Sequence, residues 1–294
     1  MILITGANGQ LGQCFRQLAE ERGVRNILFC DSSTLDISDG KAVHSYFREH
    51  SIRWCINCAA YTMVDRAELE MSAAYRVNVT GVRNLANACA QNNAGLIHFS
   101  TDYVYQTQQN RPYEETDRTR PVGVYAKTKL AGERAALKIN PLGTMVIRTS
   151  WVYAAHGHNF VNTMLRLGLE KEEIGVVFDQ IGTPTYAPDL ALAVWELLER
   201  SNTEVNLKHQ MAGIWHYSNE GVASWYDFAV AIMELGGRTC VVRPIESRQY
   251  PTPASRPFFS VLNKRKIKEA FGLTIPHWRT SLQRCIEIKL DKSI

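Results

Sequence analysis

The 294-residue sequence predicts an α/β fold, a doubly wound parallel sheet with a smaller C-terminal α/β substrate lobe, and three observations carry that prediction. A four-residue apolar run opens the chain and leads at once into a glycine-rich turn. Short apolar runs then alternate with helix-length amphipathic stretches through the first half. Beyond Trp151 the alternation weakens, and Pro184, Pro188, Pro244, Pro251, Pro253 and Pro257 cut the chain into shorter pieces. Strands separated by helices imply right-handed parallel crossovers that lay helices on both faces of one sheet.

In order, Ile2 to Thr5 reads as the first strand, Leu11 to Glu21 as a helix, Ile27 to Cys30 as a strand and Asp39 to Glu49 as a helix. Trp54 to Cys58, a helix from about Ser72 to Gln91, and Leu96 to Ser100 continue the pattern. A helix from about Val124 to Lys138 and the buried strand Met145 to Arg148 complete it. Val176-Val177-Phe178 and Pro188 to Arg200 are read as returning to the main sheet. The dinucleotide-binding domain is therefore expected over 1–150 with about 176–205 returning, and the substrate lobe over about 151–175 and 206–294.

With 45% hydrophobic and 21% charged residues the chain can bury a full core, which argues against disorder. A net charge of only +4, without a long block of like charges, leaves no nucleic-acid or membrane patch. No run is long enough to span a bilayer, and no basic leader precedes an apolar segment. Seven scattered cysteines, an odd number, suit reduced thiols in a cytoplasmic protein better than a disulfide framework. Cys55 and Cys58 have redox or zinc-like spacing but lie in an apolar strand without a second ligand pair, so no metal site is expected there.

Gly6, Asn8, Gly9, Gln10, Leu11 and Gly12 follow the first strand and open a helix, the context of a Rossmann-type dinucleotide fingerprint. The first glycine permits the tight turn, the second lets backbone approach a pyrophosphate, and the third allows close packing, while free helix-start amides attract phosphate. Asp31 ends the second strand, where a carboxylate can bond adenosine ribose hydroxyls and repel a 2′-phosphate, favouring NADH. It can equally be a turn aspartate before Ser32-Ser33. Asp36, Ile37, Ala59, Ala60 and Tyr61 are the next expected cofactor contacts.

Tyr125 and Lys129 stand four apart, so on a helix both project from one face. A neighbouring ammonium would stabilise phenolate and bring a tyrosine toward useful proton transfer. Thr101, after the strand Leu96 to Phe99, is placed to bond a substrate carbonyl or the Tyr125 hydroxyl. Such a trio suits delivery of hydride to a ketone carbon while Tyr125 protonates the oxygen and Lys129 orients the nicotinamide ribose.

Together these residues resemble the extended short-chain dehydrogenase family, and within it the dTDP-4-dehydrorhamnose reductases. The likeness runs through Leu35-Asp36-Ile37, Asn57 to Thr62, Ser100 to Val104, Arg148 to Tyr153, Asn159-Phe160, Asp179 to Thr185 and Arg256 to Leu262. It implies catalytic roles for Thr101, Tyr125 and Lys129, NADPH or NADH as cofactor, a nucleotide-sugar substrate, and a homodimer in some relatives. Magnesium dependence is described for some members, but no compact carboxylate cluster here demands a metal. Expected substrate contacts are Thr62, Thr101, Asp102, Tyr103, Tyr125, Trp151, Asn159 and Arg256. For three of them a plainer role stands beside this one: Trp151 in the core, Asn159 as a helix cap and Arg256 on the surface. Met63 and Tyr105 depart from the family pattern and bear on pocket shape. A sugar-nucleotide epimerase or dehydratase is a rival, weakened because Asp102 is followed by Tyr103 rather than by Glu. A binding-only regulatory subunit is a second, weakened by the intact Thr101, Tyr125 and Lys129.

Overall fold

The computed structural model describes residues 1–107, 109–204 and 206–291. Its first half follows the alternation: β1 (Ile2–Thr5), α1 (Gln10–Glu21), β2 (Ile27–Cys30), α2 (Gly40–Glu49), β3 (Trp54–Asn57), α3 (Val82–Gln91), β4 (Gly95–Thr101), α4 (Val124–Ile139) and β5 (Thr144–Thr149). Two short helices, Val64–Ala67 and Met71–Tyr75, and a π-helical segment, Arg76–Gly81, lead into α3. The second half adds α5 (Phe160–Glu170), β6 (Glu173–Val177), α6 (Ala187–Arg200), β7 (Gly213–His216), α7 (Trp225–Leu235), β8 (Val241–Ile245), α8 (Arg265–Phe271) and α9 (Trp278–Asp291).

Six strands form one parallel sheet in the order β7-β5-β4-β3-β1-β2. Phe15 and Ala19 of α1, with Leu190 and Val194 of α6, cover one face against Ile4, Ile56 and Ile97. Val43 and Phe47 of α2, Leu85 of α3 and Ala136 of α4 cover the other, against Leu3, Cys55 and Leu96. Alternate strand residues thus feed two separate cores, which is why the strands read as continuous apolar runs.

The returning segment differs from the expectation. Pro188 to Arg200 does come back, as α6 with proline in its first turn, where the missing amide costs nothing. Val176 and Val177 do not: they lie in β6, which pairs with β8 in the second lobe. The sixth strand of the main sheet is instead β7, in register with Met145 to Arg148. The second lobe has its own core, where Val161 and Leu165 of α5 meet Phe228 and Ile232 of α7 and Leu282 and Ile286 of α9. Among the described residues no helix is long and apolar enough to cross a membrane.

Candidate active site

A cleft of about 480 Å³ runs along the C-terminal ends of β1, β3, β4 and β5. It opens between β1 and β3, where the strand order reverses, the position at which open parallel sheets bind ligands. Gly9, Gln10 and Leu11 line it from the glycine turn, and Ala59, Ala60 and Thr62 from the loop after β3. Thr101, Asp102, Tyr103, Tyr125 and Lys129 form the wall, with Trp151 opposite.

The turn is built to bring backbone close. Gly6 has φ +66°, and a Cβ there would lie 2.5 Å from the Ala59 amide nitrogen. A Cβ on Gly12 would lie 2.4 Å from the Gly6 carbonyl. Gly9 begins α1 with no side-chain cap, so the first amides of the helix are not claimed by a capping side chain. These are residues into which a dinucleotide pyrophosphate fits. Asn8 stands at the outer edge, its amide 2.5 Å from Asp31 Oδ2.

Asp31 is the turn aspartate as well as the strand-end carboxylate. Its Oδ1 accepts from the Ser33 hydroxyl at 2.6 Å and the Ser33 amide at 2.9 Å, with the Thr34 amide at 3.1 Å. The Ser33 hydroxyl and these amides lower the carboxyl to about 2. Asp36 likewise spends Oδ1 on the Ser38 hydroxyl and amide, and Ile37 is buried in the core beside Gly81, so neither lines the cleft. Tyr61 is turned away too, its hydroxyl donating to Glu70 at 2.7 Å. The Tyr61 amide donates to Asn78 at 2.9 Å, and Asn78 returns bonds to the Tyr61 carbonyl and the Thr128 hydroxyl. The π-helical turn that carries Asn78 thus ties the loop after β3 to α4, and such turns are frequent at functional sites.

On α4, Tyr125 and Lys129 face the cleft. The Tyr125 phenol is pushed up to about 12, because burial outweighs the pull of the neighbouring Thr101 hydroxyl, and Asp102 adds to the rise. Lys129 does not provide the expected lowering. Its ammonium donates to the Phe99 carbonyl at 2.7 Å, and burial brings it down to about 8 against the opposing pull of Glu133. Glu133, one turn further on, is buried with Arg148 at 2.7 Å and accepts from the Ser100 hydroxyl, which fastens α4 to β4 and β5.

Asp102 lines the cleft, yet its carboxyl is turned into the wall. Oδ1 accepts from the Thr101 hydroxyl at 3.1 Å, and the Ser260 hydroxyl approaches the same carboxyl from the second lobe. Burial raises the group to about 7 against the Ser260 and Thr101 hydroxyls. Tyr103 meets Tyr125 edge to face, centroids 6.0 Å apart.

Trp151 follows β5 at φ +47°, an uncommon left-handed conformation for a bulky residue, and its ring stacks on Trp225 at 3.6 Å. Asn159 is a helix cap rather than a substrate ligand in reach. Its Oδ1 accepts from the Asn162 amide, while Nδ2 donates to Gln10 Oε1 at 2.7 Å and to the Ala154 and His156 carbonyls. Arg256 is paired with Asp65 at 2.7 Å and borders a second, largely apolar cavity of about 620 Å³ beside Phe160, Leu167 and Tyr250. Trp225 borders both spaces. Of the lining residues, Asn57, Cys58, Val64, Phe99, Ser100, Thr149, Val152 and Trp225 were not named as cofactor or substrate contacts from the sequence, although several lie in the motifs that carry the family likeness. Asn57, a polar residue ending an apolar strand, carried a usable signal; it accepts from Thr5 and the Ala59 amide and meets His98. Trp225 carried none. Among the described residues no three His, Cys, Asp or Glu side chains are gathered to hold a metal ion, and magnesium has no ligand set there.

Residues 1–290 match the family model described as RmlD substrate binding domain. A dTDP-4-dehydrorhamnose reductase of Aggregatibacter actinomycetemcomitans is 42% identical over 288 residues, 96% of this chain and 97% of its own. The crystal structure of a dTDP-4-dehydrorhamnose reductase from Clostridium acetobutylicum superposes with a TM-score of 0.91 at 38% identity, covering 98% of each chain. One from Bacillus anthracis, solved in complex with NADP, does so at 0.90 and 37%, again covering 98% of each.

Proposed function

The chain belongs to the RmlD substrate binding domain family, and from that premise we propose that it is an oxidoreductase acting on the C4 ketone of dTDP-4-dehydro-6-deoxy-L-mannose, with NADPH or NADH, to give dTDP-L-rhamnose. The observation that carries this reading is the convergence of Thr101, Tyr125 and Lys129 on one cleft that begins at the glycine turn.

Gly6 to Gly12 would hold a reduced nicotinamide dinucleotide, which would supply the hydride for the ketone carbon. Tyr125 donates the hydroxyl proton to the ketone oxygen, and a phenol held near 12 is protonated throughout the neutral range, the state that reduction needs. Thr101 steadies the phenol and offers a hydroxyl to the developing charge. Lys129, anchored on Phe99, sets a buried cation at the end of β4 and is placed to orient a ribose. Trp151 on Trp225 walls the sugar side, and Thr62 and Tyr103 complete the pocket. Asp31 favours NADH by its carboxylate, while the Bacillus anthracis relative was solved with NADP, so both cofactors belong in the test. The reaction is assigned to the cytoplasm, and a homodimer is the assembly to look for by light scattering.

Purified protein mixed with the ketosugar nucleotide and either NADPH or NADH should consume reduced cofactor and form dTDP-rhamnose. Tyr125→Phe should lose about 10²- to 10⁴-fold in kcat, the usual worth of a positioned proton donor. A protein that binds the cofactors yet consumes neither is not this reductase, and the epimerase or regulatory-subunit readings would then take precedence.

A further inference from the structure

The wall across the cleft from Tyr125 is held in an uncommon backbone conformation. Trp151 has φ +47°, which costs free energy for a bulky residue and persists only where the surroundings over-determine it. Its peptide is fixed on both sides. The Ser150 hydroxyl donates to the Thr183 carbonyl at 2.6 Å, the Trp151 carbonyl accepts from the Thr185 amide at 3.2 Å, and Val152 pairs with Thr185. With the backbone anchored to residues 183–185, the place of the indole is set by what touches the ring.

Trp225 and Gly182 hold that ring. Trp225 stacks on it, centroids 3.6 Å apart and planes 8° from parallel, and is itself packed by Phe160 at 4.7 Å. Gly182 lies against it where a Cβ would come within 2.8 Å of Cε2 and 2.9 Å of Cζ2. Gly182 is not among the glycines with positive φ, so its backbone would accept alanine, and the missing side chain is room kept for the indole. The two holders come from one piece of structure. The short strands Ile181–Gly182 and Ala223–Ser224 pair antiparallel with Ala223 facing Gly182, and Ser224 then starts α7 at Trp225 through a capping box with Asp227.

We propose that Gly182 and Trp225 are positioning residues, which set where the Trp151 indole stands and so where the sugar ketone meets Tyr125. This rests on the reductase reading above. Proton donation needs the ketone oxygen within reach of the phenol, and hydride transfer needs the carbon against the nicotinamide. Both distances depend on the wall behind the sugar, and a displacement of about 1 Å can cost about 10²-fold in rate. Trp225 has a second use: among the described residues it alone borders both the cleft and the apolar cavity beside Phe160, so its ring is the partition that keeps the sugar on the Tyr125 side. The competing account has Trp225 touch the substrate directly, and it gives Gly182 no part.

The test is kcat and KM for the ketosugar nucleotide in Gly182→Ala, Trp225→Leu and Trp225→Phe, with NADPH affinity by fluorescence and melting to check each fold. Gly182→Ala should cut kcat about ten- to a hundredfold, the scale of such a displacement, and leave NADPH affinity unchanged, because neither residue lies in the glycine turn. Trp225→Leu should lose as much kcat and raise KM, while Trp225→Phe, which keeps an aromatic face, should recover most of both. Since both act through Trp151, the double variant Gly182→Ala/Trp225→Leu should lose little beyond the worse single one, whereas independent damage would multiply. Wild-type kcat in Gly182→Ala, or losses that multiply in the double variant, overturns the proposal. Should Trp225→Leu not fold, kcat in Gly182→Ala decides it. Wild type that never turns the ketosugar over sinks the reductase reading, and this proposal with it.

Discussion

His98 and His216 are buried imidazoles whose pKa values are pressed down chiefly by burial, His98 well below the usual range and His216 to about 3. Each stays neutral in the fold but would take up a proton when unfolded near 6.5. Their contribution to stability is complete above that value and is lost as pH falls through the folded pKa. Asp102 works the other way. Raised to about 7, it stabilises below its unfolded value of 3.8 and loses that contribution as pH climbs to 7. Two histidines against one aspartate leave the protein less stable at pH 5 than at pH 7, which thermal melts across that range should show. His216→Gln, which can still meet the Tyr105 hydroxyl now 2.8 Å away, should flatten the curve. A steeper curve in the variant would contradict the assignment. At this scale the sequence displayed Tyr125 and Lys129, because their spacing is local. It could not show that burial sets both values, nor that Lys129 reaches for the Phe99 carbonyl, because those depend on what packs around them.

Among the elements, the glycine turn was legible because its strand, turn and helix are consecutive, and Gly6 to Gly12 carry their conformational demands in the residues themselves. The sixth strand was not. Gly213–His216 is a four-residue run whose partner, β5, ends more than sixty positions earlier, and nothing local distinguishes it from Val176-Val177, which pairs elsewhere. Asn78 was hidden for the same reason, since a buried Asn in a helical stretch gains meaning only when Tyr61 and Thr128 are beside it. The turn also allows a quantitative expectation. Gly12→Ala would set a Cβ 2.4 Å from the Gly6 carbonyl and 2.7 Å from Ala7 Cα, both backbone, so α1 must move off the turn. Overpacking of this kind costs about 1–3 kcal/mol. Displacing the helix start should also weaken NADPH binding. Titration and melting of the variant check both, and unaltered affinity would mean that α1 does not hold the pyrophosphate.

Across the whole molecule, two contacts join the lobes on opposite sides of the cleft. Near the glycine turn, His156 reaches the Gln10 carbonyl at 3.0 Å and Asn159 the Gln10 amide oxygen at 2.7 Å. At the other side Arg256 grips Asp65, which also accepts from the Ala254 amide, while Gln106 bonds Ser255. Arg256 was expected to face a diphosphate; in the structure it holds the segment after β3 against the second lobe. The two roles separate in kinetics. As a clasp, Arg256 and Asp65 act as a unit: Arg256→Ala and Asp65→Asn should each raise KM for the sugar nucleotide several-fold, and the double variant should add little, as coupled neighbours do. As a diphosphate ligand, Arg256 would be needed and Asp65 would not, so Asp65→Asn would leave KM nearly unchanged. The pair is partly exposed, so either substitution should cost no more than about 1 kcal/mol of stability. NADPH affinity should hold in both, because the glycine turn is fastened to the second lobe through Gln10 on the far side of the cleft. The geometry favours the clasp, since both guanidinium nitrogens NH1 and NH2 are already committed to Asp65.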